Sequence, residues 1–486
     1  MPVTGGMVSG VREGTKLAWR GIPYAAPPVD ELRFRAPRPV VPWEGIRDAS
    51  KFGKIAPQLH NGQFRGAGPG ILTGEDCLTI NVLSAGSSSR EPPGLPVMVF
   101  IHGGGYSAGS SQDFPGQGET FVQSGQVLYV SFNYRLGVFG YLHFSQYSTP
   151  DRPFDANLGL RDQVAALEWV HDNIAAFGGD PHNVTVFGES AGGNAVTTLL
   201  ATPSARGLFA RAIAQSPPAD AVYPRDLADE WAAEFVTVLR TAMGLSPAAE
   251  GGALAVRILT TATAAELTAA AVTLQHRSPD ANPGTFCLAP VVDGAFLPER
   301  PMDAFRSGRA QRLPLIIGTN DREGTIFRGR IDILPRSPAR IRALIMRAPA
   351  SSHRAMRKAY PGLPARRPAA DFAGDFAFWY PSVMVADLHS RFAPVHVYRF
   401  DVAPRMMRVL GLDATHGIEL FALFDRVDTP FARSVTALGG REQFAEAGRR
   451  MRHHWLAFAR GGTVADSWPA YEQAERLTLV IDQIDR

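Results

Sequence analysis

The sequence predicts an α/β protein with a large, mostly parallel central sheet flanked by helices. Short apolar runs alternate with amphipathic segments along much of the chain. Short, continuously apolar runs are typical of strands buried on both faces, and parallel strands need crossover connections, usually helices, between them. The alternation therefore indicates one layered architecture in which helices cover both faces of the sheet.

The individual elements follow in chain order. Residues 95–101 and 126–132 are apolar runs that end at His102 and Asn133, and both predict buried strands. Residues 158–177 place apolar side chains at intervals of three or four, which predicts an amphipathic helix ending near Gly178. A strand is predicted at 183–187 and a helix at 195–201, before Pro203. Residues 313–317 and 395–400 predict further strands, so the sheet continues late into the chain.

The segment 326–394 differs from these regions in composition. It is rich in Arg, Ala and Pro and has helical patches without a clear strand. We expect it to form a helical excursion over the top of the sheet. Because no internal repeat interrupts the pattern, residues 1–486 are expected to form a single domain.

Composition and charge limit the classes of partner. Apolar residues make up 45% of the 486 residues, charged residues 20%, and the formal net charge is +3. The Arg residues are dispersed, so neither nucleic acid nor a membrane surface is expected as a partner. With only two cysteines, Cys77 and Cys287, a disulfide framework or a structural zinc site is not expected. The N-terminal residues lack a signal-peptide pattern, and we expect a cytoplasmic protein.

Ser190 is the candidate nucleophile. It stands in Gly188-Glu189-Ser190-Ala191-Gly192, after a predicted strand and before a predicted helix. A strand-to-helix turn of the form Gly-x-Ser-x-Gly exposes a strained serine, and its glycines keep side chains out of the tight turn. The five residues alone are weak evidence, and their context strengthens them.

A glycine-rich loop upstream is the candidate oxyanion hole. His102-Gly103-Gly104-Gly105 follows its own predicted strand and lacks the Lys and Ser/Thr of a phosphate-binding loop. Backbone amides of Gly104 and Gly105, together with that of Ala191, could stabilise a negatively charged oxygen.

The base and the acid should follow the nucleophile, the acid first. Six histidines follow Glu323, and among them His416 stands in a loop beside Gly417. Asp321 and Glu323 lie in one loop after a predicted strand, and either could orient an imidazole. A third acid, Asp293, precedes glycine and is more typical of a turn. The residue pattern alone leaves the choice between Asp321 and Glu323 open.

Together these residues resemble the type-B carboxylesterase and cholinesterase family of the α/β-hydrolase fold. The resemblance spans most of the chain and rests on motifs that occur in order: GIPYA at 21–25, LRF at 32–34, EDCLTINV at 75–82, NYRLG at 133–137, GLRDQ at 159–163, FGGDP at 177–181 and GESAGG at 188–193.

The resemblance implies roles for particular residues. The family's acid precedes glycine, as Glu323 does, and its histidine precedes glycine and a Glu-Leu pair, as His416 does. It implies supporting roles for Glu189, beside the nucleophile, and for Ser216, although Pro217 follows Ser216 where the family usually has glycine. The helical excursion would then lie between the acid and the histidine, near the active-site entrance.

Two departures from the family narrow the expected activity. Cys77 has no cysteine at residues 52–74, where many secreted relatives carry its disulfide partner. The loop 59–74 contains no tryptophan to contact a cation, so cholinesterase activity is not expected.

The sequence thus predicts a serine carboxylic-ester hydrolase that acts in two steps on a small-molecule ester, without a metal or a cofactor. Its candidate pocket is apolar, with Tyr106 and an aromatic run that includes Phe378 as candidate walls; the run is Phe376, Phe378, Trp379 and Tyr380. Carbamate, amide or thioester hydrolysis by the same triad remains an alternative. A non-catalytic binding module on the same fold is the competing class.

Overall fold

The computed structural model describes residues 1–59, 68, 70–86, 94–113, 118–245, 252–329 and 331–482. Its strands are β1 (Pro2–Val3), β2 (Gly6–Ser9), β3 (Val11–Glu13), β4 (Lys16–Pro23), β5 (Ile46–Asp48), β6 (Thr79–Ala85), β7 (Leu95–Ile101), β8 (Leu128–Phe132), β9 (Gly179–Glu189), β10 (Arg211–Gln215), β11 (Tyr223–Pro224), β12 (Val291–Val292), β13 (Leu315–Asn320), β14 (Val395–Phe400) and β15 (Leu479–Ile481).

Ten of these strands form one central sheet, in the order β15-β14-β13-β10-β9-β7-β8-β6-β4-β3. The strands from β15 to β8 in that order pair in parallel. The pairs made by β6, β4 and β3 are antiparallel. The prediction of a mostly parallel sheet is confirmed.

The α-helices of the described residues connect and cover these strands. They are α1 (Glu119–Val122), α2 (Gly137–Tyr141), α3 (Leu158–Asn173), α4 (Ala191–Ala201), α5 (Arg225–Ala242), α6 (Gly252–Thr261), α7 (Ala264–Ala281), α8 (Pro301–Ser307), α9 (Pro338–Arg347), α10 (His353–Ala359), α11 (Arg366–Gly374), α12 (Tyr380–His389), α13 (Arg405–Val409), α14 (Ile418–Leu423), α15 (Pro430–Val435) and α16 (Arg441–Gly461).

Side chains of the central strands enter two hydrophobic cores, one on each face of the sheet. Successive residues of a strand point to opposite faces, and in β7 Val99 belongs to one core while Phe100 belongs to the other. Helix α3 packs its apolar face into the first core, and α16 contributes Trp455 to the second. Because both faces are covered, β7 is apolar along its whole length.

Several element boundaries differ from those predicted. The helix predicted at 158–177 is α3 followed by a 3₁₀ turn at Ile174–Phe177, and Gly178 ends it with a left-handed backbone. Helix α4 begins at Ala191 rather than at residue 195, directly after the nucleophile turn. Strand β9 extends from Gly179 to Glu189, beyond the predicted 183–187.

The segment 326–394 contains helices α9 to α12 and a π-helical turn at Asp375–Trp379, with no strand among its described residues. The assignment of residues 1–486 to a single domain stays a prediction. The loop 59–74, which carried the argument against cholinesterase activity, includes residues 60–67 and 69, and these lie outside the described residues.

No single helix of the described ranges is both long and apolar enough to cross a membrane. One pair, α6 and α7, passes that test only when taken together, and the two helices are bent by 117°.

Candidate active site

Ser190 lies in the sharp turn between β9 and α4. Its backbone has φ 59° and ψ −122°, a conformation that non-glycine residues rarely adopt. The flanking glycines make the turn possible, because a Cβ on Gly192 would lie 2.0 Å from the carbonyl oxygen of Ile101. Ser190 is 8% exposed, at the carboxyl end of a parallel strand. The strained strand-to-helix turn that was predicted for residues 188–192 is therefore present in the structure.

His416 lies between Ser190 and Glu323. The Ser190 hydroxyl donates to His416 Nε2 over 2.8 Å, and His416 Nδ1–H donates to Glu323 Oε2 over 2.6 Å. The side chains of His416 and Glu323 are both buried. His416 lies in the loop after β14, and Glu323 lies in the loop after β13. The carboxyl ends of these two strands lie at the same edge of the sheet as that of β9.

The second oxygen of Glu323 is also fully used. Glu323 Oε1 accepts hydrogen bonds from Ser216 Oγ and from the backbone N–H of Asn320, each over 2.6 Å. Ser216 is buried and has a positive φ of 45°. Ser216 thus touches the candidate acid rather than the nucleophile, which corresponds to a positioning role.

The other acidic candidates lie elsewhere. Asp321 is 3.9 Å from Arg399, and its side chain is 42% exposed. Asp293 accepts hydrogen bonds from the backbone N–H groups of Ala295 and Leu297, as expected for a turn. Of the three acids that the sequence offered, Glu323 is the one that contacts His416.

The glycine-rich loop after β7 brings its amides to the same turn. Gly104 has φ 105° and Gly105 has φ 61°, and a Cβ on Gly104 would lie 2.2 Å from the carbonyl oxygen of Ala108. The amides of Gly104, Gly105 and Ala191 donate to no other described residue. Gly105 and Ala191 line the same cavity as Ser190. These N–H groups are thus available to a ligand beside the serine.

The cavity above Ser190 has a mostly apolar lining. Tyr106 lines it, and the Tyr106 hydroxyl donates to Asn194 Oδ1 over 2.6 Å. Phe378 also lines it and packs on the imidazole of His416, with ring centroids 4.2 Å apart. Of the remaining aromatic run, Phe376 packs against Phe372, whereas the last two residues, Trp379 and Tyr380, are exposed.

Two further carboxylates surround His416. Glu189 Oε1 lies 3.3 Å from His416 Nε2 and accepts no hydrogen bond from the described residues. Glu419 is fully buried and accepts a hydrogen bond from Asn320 Nδ2 over 2.6 Å. Asn320 therefore joins Glu323, through its backbone, to Glu419, through its side chain.

Burial and mutual charge shift the pKa values of these groups. Burial raises the pKa of Glu189 to about 8, against the opposing effect of His416. Burial also raises the pKa of Glu419 to about 7, and the charge of Glu323 adds to that rise. Burial alone would lower the pKa of His416, but Glu189 and Glu323 together raise it to about 9. Glu189 and His416, the active-site pair, therefore each shift the pKa of the other.

Three contributors to the site were not singled out from the sequence: Asn320, Phe327 and the carboxylate of Glu419. Phe327 lines the cavity and lies 5.2 Å from the imidazole of His416, measured between ring centroids. Glu419 could have been identified from the sequence, because it belongs to the Glu-Leu pair after His416. No local sequence pattern identifies Asn320 or Phe327 as part of the site.

No group of three or more His, Cys, Asp or Glu side chains in the described ranges is arranged to hold a metal ion. Cys77 and Cys287 are both buried and free, as expected for small apolar residues. Burial raises the pKa of the Cys287 thiol to about 12.

A serine, a glutamate and a histidine on the carboxyl edge of this sheet, in that chain order, define an α/β-hydrolase. The sequence model described as the carboxylesterase family matches residues 1–485. Para-nitrobenzyl esterase of Bacillus subtilis is 35% identical over 98% of this chain and 93% of its own length. Carboxylesterase 1D of Rattus norvegicus is 32% identical over 94% of this chain and 83% of its own length.

Solved structures give the same result. A para-nitrobenzyl esterase structure superposes with a TM-score of 0.84 at 34% identity, covering 100% of this chain and 97% of that one. A carboxylesterase of Geobacillus stearothermophilus superposes with a TM-score of 0.82 at 31% identity, covering 100% of this chain and 97% of that one. The chain belongs to the carboxylesterase family. The predictions of the α/β-hydrolase fold and of a carboxylic-ester hydrolase are confirmed.

Proposed function

We propose that Ser190, His416 and Glu323 hydrolyse small-molecule carboxylic esters through a covalent acyl-enzyme. The observation that carries this assignment is the unbroken hydrogen-bonded path from Ser190 Oγ through both ring nitrogens of His416 to Glu323. A serine hydroxyl is a weak nucleophile unless an adjacent base accepts its proton. His416 Nε2 is within reach of that proton.

Each half of the reaction moves one proton through His416. Ser190 Oγ attacks the ester carbonyl while Nε2 accepts the hydroxyl proton, and Glu323 stabilises the resulting imidazolium. Nε2 then gives the proton to the departing alkoxide, so the alcohol leaves and the acyl group stays on Ser190. Water repeats the sequence, releasing the acid and restoring the serine.

The amides of Gly104, Gly105 and Ala191 are proposed to bind the oxygen that becomes negative in both steps. Preorganised amide donors of this kind each contribute about 3 kcal/mol to the stabilisation of the transition state. Tyr106 and Phe378 are proposed as walls of the substrate pocket. Neither nucleic acid nor a membrane is proposed as a partner.

A cytoplasmic location is part of the proposal, because free buried cysteines are typical of proteins in reducing compartments. Cell fractionation with an antibody would test it, and recovery only from the extracellular fraction would contradict it.

The nucleophile is tested by comparing the wild type with Ser190→Ala on 4-nitrophenyl butyrate. We expect the variant to lose at least about 10³-fold in kcat, since the covalent route is closed. An organophosphate should add mass to the Ser190 peptide of the wild type only. Substantial turnover by Ser190→Ala would contradict Ser190 as the nucleophile. Absence of both labelling and turnover in the wild type would favour the non-catalytic binding module. Parallel assays with a carbamate, an amide and a thioester would rank the acyl groups that the site accepts.

A further inference from the structure

Although Arg residues are spread along the whole chain, the excursion 326–394 carries a local excess of positive charge. It contains twelve Arg and Lys residues but four Asp and no Glu, whereas the whole chain has a formal net charge of only +3. A patch of one charge sign beside a cleft attracts ligands of the opposite sign and raises their association rate. The excursion forms part of the wall of the active-site cavity, so its charge bears on the substrate.

The first loop of the excursion contains both apolar residues that line the cavity and basic residues. Phe327 and Ile333 line the cavity above Ser190, and with Leu334 they pack into a small core that includes Phe378. Arg328 follows Phe327 directly, and Arg336 lies three residues beyond Ile333. Both guanidinium groups are therefore attached to the backbone segment that builds the cavity rim.

Arg336 lies in a cluster of like charges. Burial lowers the pKa of its guanidinium, and the positive charges of Arg366 and Arg328 lower it further, whereas Asp332 acts in the opposite direction. The carboxylate of Asp332 is already paired with Arg340, 3.3 Å away. Thus the acid that acts on this cluster is already bound to a different arginine.

The guanidinium groups of Arg328, Arg336 and Arg366 donate no hydrogen bond to any described residue. The Nε of Arg336 is also buried and has no acceptor among the described residues. A buried donor without an acceptor is costly and needs an explanation. By contrast, neighbouring Arg340 donates to Asp280 and to two backbone carbonyl groups, Asp332 and Leu334.

Arg366 adds an independent observation. It is the first residue of α11, whose first turn contains no acidic side chain. The positive end of a helix disfavours a cation and favours an anion. A bound anion would offset the mutual repulsion of the three arginines and the unfavourable position of Arg366.

We propose that Arg328, Arg336 and Arg366 bind an anionic group of the substrate at the cavity rim. The substrate class is then an amphiphilic ester whose apolar part fills the cavity and whose carboxylate, or an anion of similar chemistry, lies several atoms from the scissile carbonyl. Guanidinium groups suit carboxylates because they can donate two parallel hydrogen bonds. This inference rests on the proposed ester hydrolysis at Ser190.

The test compares anionic and neutral esters of matched length. For the acyl side we would use 4-nitrophenyl hydrogen suberate against 4-nitrophenyl octanoate. For the alcohol side we would use the butyrate ester of 6-hydroxyhexanoate against hexyl butyrate. In the double variant Arg328→Gln/Arg336→Gln, we expect kcat/KM for at least one anionic ester to fall about tenfold or more, mainly through KM. We expect the neutral esters to change less than about twofold.

Two controls separate a binding role from a general effect. Arg354→Gln removes an exposed charge of the same excursion that does not act on Arg336, and it should leave both ester classes unchanged. Arg336→Lys keeps the positive charge but loses the planar guanidinium group. Its kcat/KM for the anionic ester should lie between those of the wild type and Arg336→Gln.

The wild type provides a readout that needs no folded variant. Added salt should reduce kcat/KM for the favoured anionic ester but not for its neutral partner, because salt screens exposed charges. An anionic-to-neutral ratio that is insensitive both to salt and to the arginine substitutions, for both ester pairs, would overturn the inference. Failure of the wild type to hydrolyse any of the four esters would instead contradict the proposed function.

Discussion

Three buried carboxylates surround the imidazole of His416, yet they serve it differently. Glu323 accepts the Nδ1–H hydrogen bond and so selects the tautomer whose Nε2 can take a proton. Glu189 lies on the other side of the ring, 3.3 Å from Nε2, where it stabilises the protonated imidazole. Glu419 acts from farther away through its charge. Together the charges of these carboxylates set the pKa of His416, and therefore the pH above which its unprotonated Nε2 can act as a base.

The first residue-scale prediction concerns Glu189→Gln. The charge of Glu189 raises the pKa of His416, so its removal should lower that pKa. Because the base must be unprotonated, kcat/KM is lost as pH falls through this pKa, and the acid limb should move to lower pH by about one unit or more. A pH profile with 4-nitrophenyl butyrate measures this shift. A limb that stays in place or moves to higher pH would contradict the assigned interaction.

The second residue-scale prediction separates two acids of one loop. Glu323→Gln should reduce kcat by about 10³-fold or more, because an amide can hold the wrong imidazole tautomer. Asp321→Asn should retain most of the activity, since Asp321 lies beside Arg399 and away from His416. If the two variants have equal melting temperatures and lose kcat equally, the loop as a whole rather than Glu323 is required for activity.

The sequence could not choose between these acids because both follow the same strand. The choice depends on the path of the loop, where a 3₁₀ turn at Glu323–Thr325 and the hydrogen bond from Ser216 fix the glutamate. Only the family resemblance favoured Glu323. The glycine turn around Ser190 was easier to predict, since its backbone constraint is local.

At the scale of elements, sequence periodicity located the interior of the sheet better than its margin. Strand β7 was predicted with its full bounds, because strands covered on both faces are continuously apolar. The antiparallel strands β3, β4 and β6 were not predicted, and β15 has only three residues. β10, with the sequence RAIAQ, was also missed, since its small side chains give little hydrophobic signal.

The connection from β8 to α3 is held by a buried ion pair. Arg135 Nε and Nη2 donate to the two carboxylate oxygens of Asp162 over 2.8 and 2.7 Å, and its backbone N–H donates to the same group. Arg135 also donates to the backbone carbonyl of Arg35, which ties in the N-terminal region. The exposed fractions of the two side chains are 3% and 0%.

The element-scale prediction is that Asp162→Asn destabilises the protein by about 3–5 kcal/mol, because it leaves the buried charge of Arg135 without its counter-ion. Asp172→Asn, at an exposed position of the same helix, should change the free energy of unfolding by less than about 0.5 kcal/mol. Denaturant unfolding measures both variants. Similar stabilities for the two would contradict a structural role for the Arg135–Asp162 pair.

For the whole molecule, buried histidines and buried carboxyl groups make the free energy of unfolding depend on pH in opposite directions. Burial lowers the pKa of His102 to about 4 and also lowers those of His389 and His396. Between about pH 4 and 6.5 the unfolded chain therefore binds more protons at these histidines, which favours folding as pH rises. Glu189 and Glu419, whose pKa values are raised from 4.5 to about 8 and about 7, act in the opposite direction from about pH 4.5 upward, and above about pH 6.5 the three histidines no longer oppose them.

The whole-molecule prediction is that the melting temperature falls between about pH 6.5 and 9. The folded-state pKa values of Glu189, about 8, and His416, about 9, exceed their ordinary values of 4.5 and 6.5. In this window the folded chain holds protons that the unfolded chain has lost, and each extra proton costs about 1.4 kcal/mol of stability per pH unit as pH rises.

Glu189→Gln should make the melting temperature fall less steeply with pH, because it removes the raised pKa of Glu189 and lowers that of His416. Glu44→Gln, at an exposed position, serves as the control and should retain the wild-type slope. Thermal unfolding at constant ionic strength measures all three proteins, and an unchanged slope in Glu189→Gln would mean that the active-site pair does not couple proton binding to folding.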